Sequence, residues 1–246
     1  MKYLIFSDIH GNLEAFIALL KFIKRRRIDK YLFLGDIVGY GASPNETVEK
    51  LQTLHPIYVV RGNHDKAVSG LEPVEAFNPV AVSAIEWTKR NLTKQNLKYL
   101  TKLRRGPRVI DRKITICHGA PFDEDYYIFG DFDAAETFYY LKTQVCFFGH
   151  THFPFVYIEK NRSIEGLFLV GNKNKLKLEK GQRYLINPGS IGQPRDRNPN
   201  LAFAIYDSLK KEINFFRISY DVAEAKKKIL STDLPPALAE RLGLGI

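Results

Sequence analysis

One pattern along the first 152 residues constrains this chain most, although no internal sequence repeat is present: a short apolar run, a polar loop rich in aspartate, histidine and glycine, then in several instances a stretch with helical spacing. In its first instance residues 2–6 are β-prone, Ser7 to Asn12 are mostly polar, and Leu13, Phe16, Ile17 and Leu20 recur on one helical face. Runs at 31–34, 57–60, 114–117 and 145–148 feed loops of the same kind, and 109–110 adds a further short strand. The pattern predicts an α/β fold whose loops gather at the carboxyl ends of strands, where open α/β sheets place ligand sites.

Local signals set the helices. Ser43-Pro44-Asn45-Glu46 reads as a capping box with proline at the first helical position. Asn78-Pro79 opens a helix to about residue 92, Thr93 caps another carrying Leu97, Leu100 and Leu103, and Asp133 with Glu136 forms a second capping box for a helix to about residue 142. Beyond His152 the runs shorten and alternate (155–158, 167–170, 176–178, 184–186, 201–206, 213–218), which predicts mostly antiparallel β structure. A last helix over 221–230 precedes Pro235-Pro236 and a tail expected to be loosely held. The simplest architecture is one domain over 1–246, a two-sheet β-sandwich flanked by helices. Its parts are βα units (1–152), antiparallel β (153–220) and a C-terminal helix and tail (221–246).

Apolar residues make up 45% of the chain and aromatics 13%, enough hydrophobic surface to offset the entropy of ordering. There is no apolar stretch of the ~18 residues a membrane span needs and no signal-peptide cleavage pattern, so a cytoplasmic location without membrane partners is expected. Cys117 and Cys146 lie in apolar runs without the close pairing of zinc or redox sites, and read as small core residues. The formal charge of +10 favours anionic partners, nucleic acid among them. Its basic clusters at 24–27, 173–180 and 226–228 lie apart without interleaved aromatics, which reads as solvated faces.

Candidate ligating residues follow the strands. Asp8 and His10 follow the first, Asp36 the second, Asn63 with His64 and Asp65 the third, His118 a later one, and His150 with His152 the last. Singly these signals are weak, since a strand-end histidine is usually a hydrogen-bonded structural residue. Five of the six histidines belong to the set, however, and His55 is explained by its place at a helix end.

In that order, Asp8-x-His10, Gly35-Asp36, Gly62-Asn63-His64-Asp65, His118 and Gly149-His150-x-His152 resemble the motifs of the calcineurin-like metallophosphoesterases. The opening residues 7–12 and the segment 187–196 resemble its small bacterial and archaeal phosphodiesterase-like branch. The resemblance implies a four-layer αββα fold and two divalent transition metals (Mn, Fe, Ni or Zn). It assigns Asp8, His10 and His152 to one metal, Asn63, His118 and His150 to the other, and Asp36 to a bridge. Two such ions ~3.5 to 4 Å apart activate water and stabilise in-line displacement at phosphorus. The resemblance further implies that His64 protonates the leaving alkoxide or contacts phosphate, with Asp65 orienting it. Arg195 is a candidate for binding substrate phosphate, with a salt bridge to Asp196 or a neighbour as the alternative. Asn12 is a candidate for reaching substrate, although a helix N-cap is the favoured role.

Many monoesterase and protein-phosphatase relatives follow Gly-Asp with two residues, Asp-Arg and Gly, whereas this chain continues Asp36-Ile37-Val38-Gly39. A dianionic monoester needs such cationic support more than a diester does, so hydrolysis of phosphodiesters is expected. The alternative is a phosphomonoesterase or a nucleotide or dinucleoside-polyphosphate hydrolase, with Arg61 or Arg195 supplying the charge. Because no ligand position is missing, a non-catalytic scaffold is disfavoured.

Overall fold

The first strand is buried on both faces, which is why its sequence is a continuous apolar run rather than an alternation. In the computed structural model, which describes residues 1–75 and 77–246, Tyr3 and Ile5 point between two sheets and Leu4 and Phe6 point at a helical layer. The elements in order are β1 (Lys2–Phe6), α1 (Leu13–Ile23), β2 (Lys30–Phe33), α2 (Pro44–Gln52), β3 (Ile57–Val59), α3 (Asn63–Val68), α4 (Pro79–Asn91), α5 (Lys94–Leu100), β4 (Arg108–Ile110), β5 (Ile114–Ile116), α6 (Asp131–Tyr140) and β6 (Val145–Phe147). Then come β7 (Phe155–Lys160), β8 (Ser163–Phe168), β9 (Lys173–Lys177), β10 (Gln182–Asn187), β11 (Leu201–Asp207), β12 (Glu212–Ile218), α7 (Val222–Leu230) and α8 (Ala237–Leu244).

The strands form two six-stranded sheets, ordered β3-β2-β1-β11-β12-β9 and β4-β5-β6-β10-β7-β8. Three parallel strands (β1 to β3) lie on one side of the first sheet and three (β5, β6 and β10) at the middle of the second, and antiparallel strands extend both. Ile5, Leu32, Ile116, Phe147, Ile186 and Ala204 meet between the sheets. Outside the first sheet Phe6, Phe33 and Phe203 pack on Phe16 and Leu19 of α1 and Leu51 of α2, and outside the second Leu185 and Cys146 pack on Phe138 of α6. The expected four layers are therefore present. Among the described residues no helix is long and apolar enough to cross a membrane.

Several local expectations differ from the structure. Asn63 to Asp65 lie not in a loop but in the first turn of α3, whose six residues are too few for a periodic signal. Helix α6 starts at Asp131, and Asp133 is its third residue rather than its cap: its Oδ2 accepts from Gly130 N at 3.0 Å. Ser43 precedes Pro44 as expected but makes no side-chain capping bond. The tail after Pro236 is α8, with Leu238, Ala239 and Leu242 buried against Tyr40, Trp87 and Ile229. Cys117, just past the end of β5, lies beside Cys146 of β6, their thiols free, buried and 3.5 Å apart.

Candidate metal centre

Parallel strands end on a common edge, and the segments that follow β1, β2, β3, β5 and β6 bring Asp8, His10, Asp36, Asn63, His118, His150 and His152 together. Five of them, Asp8, His10, Asp36, His150 and His152, have left-handed backbone with φ between 49° and 67°. That region is costly for residues with a Cβ and persists only where its surroundings over-determine it. Hydrogen bonds between loops do so: Asp8 N donates to Gly35 O and His10 N to Asp36 O, both at 3.0 Å, and Gly192 N donates to Asp8 O at 2.8 Å. Gly62 packs so closely on Asp36 that any Cβ there would collide with the carboxylate.

Three imidazoles are oriented alike. His10, His118 and His152 each place Nδ1 on a main-chain oxygen, that of Val38 at 3.0 Å, Leu34 at 2.9 Å and Gln193 at 2.6 Å. Donation there leaves Nε2 facing the centre, the arrangement common to metal-ligating histidines. His150 is reversed, with Nε2 on Asp125 O at 3.1 Å and Nδ1 left as its acceptor nitrogen. The side chains form two groups that share Asp36. Ligating atoms of Asp8, His10, Asp36 and His152 all lie within 4.8 Å of one another. On the other side His118 Nε2 is 3.1 Å from Asn63 Oδ1 and 3.4 Å from Asp36 Oδ2, with the His150 ring centroid 4.8 Å from that of His118.

Protonation follows from burial and charge. Burial holds His10, His150 and His152 well below the usual imidazole range, so all three are neutral near pH 7. Burial opposes charge on His118 too, yet Asp36 and Asp8 raise it to about 9. Burial alone would raise Asp36; the neighbouring imidazoles, the charged His118 foremost, hold it well below the carboxylate range instead. Asp8 is pushed up to about 7 by burial, with Asp36 adding to the rise. The donor set fits divalent transition metals on two observations. Nε2 of His10 and Nε2 of His152, both left without a proton, face each other at 3.2 Å, an arrangement a shared cation makes favourable. Asp8 Oδ2 is buried without a hydrogen-bond partner.

His64 and Asp65 divide differently from the expectation. The His64 main-chain N–H, at the start of α3, donates to Asp36 Oδ1 at 2.9 Å, while the His64 ring lines the cleft. Asp65 does not touch that ring: its carboxylate accepts from the N–H groups of Asp36 and Ile37 at 2.9 Å and of Gly62 at 3.1 Å. Its buried oxygens are spent on the loop backbone, so His64 Nδ1 is buried without a partner. Burial lowers His64 to about 4.

A cleft of about 300 Å³ opens over the centre and is lined by Asp36, Asn63, His64, His150 and His152. Arg195 reaches it, and Asp196 is not its partner because Asp196 pairs with Arg217. Arg61 does not reach it: its guanidinium holds Glu124 through two bonds of 3.0 and 2.7 Å. Asn12 caps α1, accepting from Ala15 N at 3.1 Å and donating to Gly192 O at 2.9 Å, and is absent from the cleft lining. Sequence reasoning missed Tyr127, whose ring stacks on His150 with centroids 3.8 Å apart, and Arg241 of α8. The leucine spacing of 238 and 242 beside Arg241 was the available signal for a packed helix.

A two-sheet sandwich with buried carboxylates and imidazoles at one strand edge, below an open polar cleft, defines a metal-centred phosphoesterase type of protein. The chain belongs to the calcineurin-like phosphoesterase superfamily, whose domain model matches residues 1–211. It is 42% identical to the uncharacterized protein MJ0912 of Methanocaldococcus jannaschii, over 98% of this chain and 97% of that protein. A solved metallophosphoesterase from Sphaerobacter thermophilus is similar with a TM-score of 0.86 and 37% identity, covering 100% of this chain and 99% of that one. Phosphodiesterase YfcE of Escherichia coli strain K12 is 24% identical over 81% of this chain and 84% of that protein.

Proposed function

We propose that this protein is a cytoplasmic, two-metal hydrolase of phosphodiesters. In this reading Asp8, His10 and His152 hold one cation, Asn63, His118 and His150 hold the other, and Asp36 bridges them. The placement of Asp36 carries the reading. Its Oδ1 is tied to the His64 N–H at 2.9 Å, while Oδ2 lies 3.5 Å from His10 Nε2 and 3.4 Å from His118 Nε2, between the two ligand groups. When bound, two such cations supply an activated water and neutralise charge building on the phosphoryl oxygens.

The residues' own tasks follow. The carbonyls of Val38, Leu34 and Gln193 keep three rings aimed, and Asp65 keeps the 36–38 loop in place. His64 donates a proton to the leaving alkoxide, with the negative charge of the bound phosphoester, rather than Asp65, favouring its protonated form. Diester preference is supported by the hydrophobic Ile37-Val38 after Asp36 and by the distant likeness to YfcE, named as a phosphodiesterase. Arg195 and Arg241 in the cleft favour a second reading, a nucleotide or dinucleoside-polyphosphate hydrolase. A panel of model diester, monoester, 2′,3′-cyclic nucleotide, dinucleoside polyphosphate and single-stranded RNA, run with Mn²⁺, Ni²⁺ and Zn²⁺, tests the choice. Turnover greatest on a diester is expected; a strong monoester preference overturns it.

A further inference from the structure

We propose that Arg195 and Arg241 form a clamp for a second anionic group, so that the preferred diester carries a phosphate beyond the one cleaved. The inference rests on the phosphodiesterase reading and names its substrate class. Both guanidinium groups line the cleft over the metal centre. Among the described residues neither pairs with an aspartate or glutamate: the nearby acids are taken, Asp196 by Arg217, Glu124 by Arg61, and Glu72 and Asp125 by Lys66.

Each guanidinium keeps donors to spare. Arg195 Nη2 donates to Gln193 Oε1 at 3.1 Å, but its Nε is buried without a partner. Arg241 uses Nε on the Ile246 main-chain oxygen at 2.8 Å. Burial and the neighbouring Arg195 both disfavour charge on Arg241, so the two cations oppose one another. Two like charges side by side are costly to a fold, and a bound anion offsets that cost.

Packing holds the pair in position. The guanidinium carbon of Arg195 lies 6.0 Å from the Tyr40 ring centroid, and Tyr40 belongs to the same buried cluster as Leu238 and Leu242, which flank Arg241. Arg241 also lies beyond residues 1–211, the part matched by the superfamily domain. Its helix therefore adds to the shared centre and suits a role in choosing substrates. A diester phosphate offers one negative charge to a centre already furnished with seven ligand side chains. Two planar forks beside it match a further phosphate, which each can grip through two hydrogen bonds.

The test compares the dinucleotides TpT, pTpT and TpTp on the Mn²⁺-loaded protein. A terminal phosphate at one end should raise kcat/KM about tenfold to a hundredfold, the range for charge-assisted hydrogen bonds. Arg241→Ala should remove most of that preference and Arg241→Lys should retain part, a point charge replacing the fork. Calorimetry supplies a readout independent of turnover: thymidine 3′,5′-bisphosphate should bind at least about tenfold more tightly than thymidine 5′-monophosphate, and Arg241→Ala should narrow the gap. Equal kcat/KM for all three dinucleotides in the wild type, or a preference unchanged in both variants, overturns the clamp. If none of the three is hydrolysed, the diester reading fails and the clamp is judged on calorimetry, where equal affinities overturn it.

Discussion

The strand-end loops of the first 152 residues and the segments after residue 187 serve the same cleft by different means. The former place carboxylates, imidazoles and an amide directly at the centre. The latter work mostly through main chain: Gln193 O holds His152, Gly192 N and Ser190 Oγ hold the Asp8 carbonyl at 2.8 and 3.0 Å, and only Arg195 and Arg241 reach in with side chains. One region is chemistry written in residue types and the other is support written in backbone geometry. Alterations in the two should therefore separate catalysis from stability and choice of substrate.

The largest effect should come from Asp36→Asn, which removes the shared carboxylate charge. We expect kcat/KM to fall on the order of 10³-fold and bound metal per chain, measured by elemental analysis, to drop. His64→Ala should keep its metals yet lose about 10²-fold in turnover of an alkyl diester, with little loss on a nitrophenyl ester whose leaving group needs no proton. Undiminished alkyl-diester turnover would remove His64 from the mechanism. In the supporting region Leu242→Ala should cost about 2 kcal/mol in chemical denaturation and mainly raise KM, by loosening the helix that carries Arg241.

A smaller effect reports on the metal-free centre. His118 holds a proton up to about pH 9 there, and a cation must displace it. Apparent metal affinity should therefore rise about tenfold per pH unit between 7 and 9 and level off above, with a steeper slope below 7 where Asp8 is also protonated. Calorimetry in buffers of different ionisation enthalpy counts the released protons; none released at pH 7.5 would refute the assignment. Smallest, Asn12→Ala should cost about 1 kcal/mol of stability through the lost cap with KM unchanged. A raised KM would return Asn12 to the substrate site.

The same contrast explains what was legible in the sequence. Asp8, His10, Asp36 and the later histidines could be read because each follows a recognisable strand and carries a ligating group. Asp65 follows His64 directly in sequence, yet successive residues on a helix point apart and its carboxylate turns to the 36–38 backbone instead. Arg241 was hidden by Pro235-Pro236, which reads as a break although it only precedes a new helix. The bracing by residues 190–193 left no residue-type signal, since a carbonyl or N–H is available from any residue except the proline nitrogen.

The left-handed backbone at five of the seven candidate ligand positions bears on mutational tolerance. Glycine relieves strain at such positions and asparagine bears it readily, so either should leave these loops better folded than the residues now there. A saturation library sorted for solubility would enrich glycine and asparagine at Asp8, His10, Asp36, His150 and His152, and the same library sorted for turnover would purge them. The opposed enrichments would make these five codons a map of the centre, obtained without adding any metal.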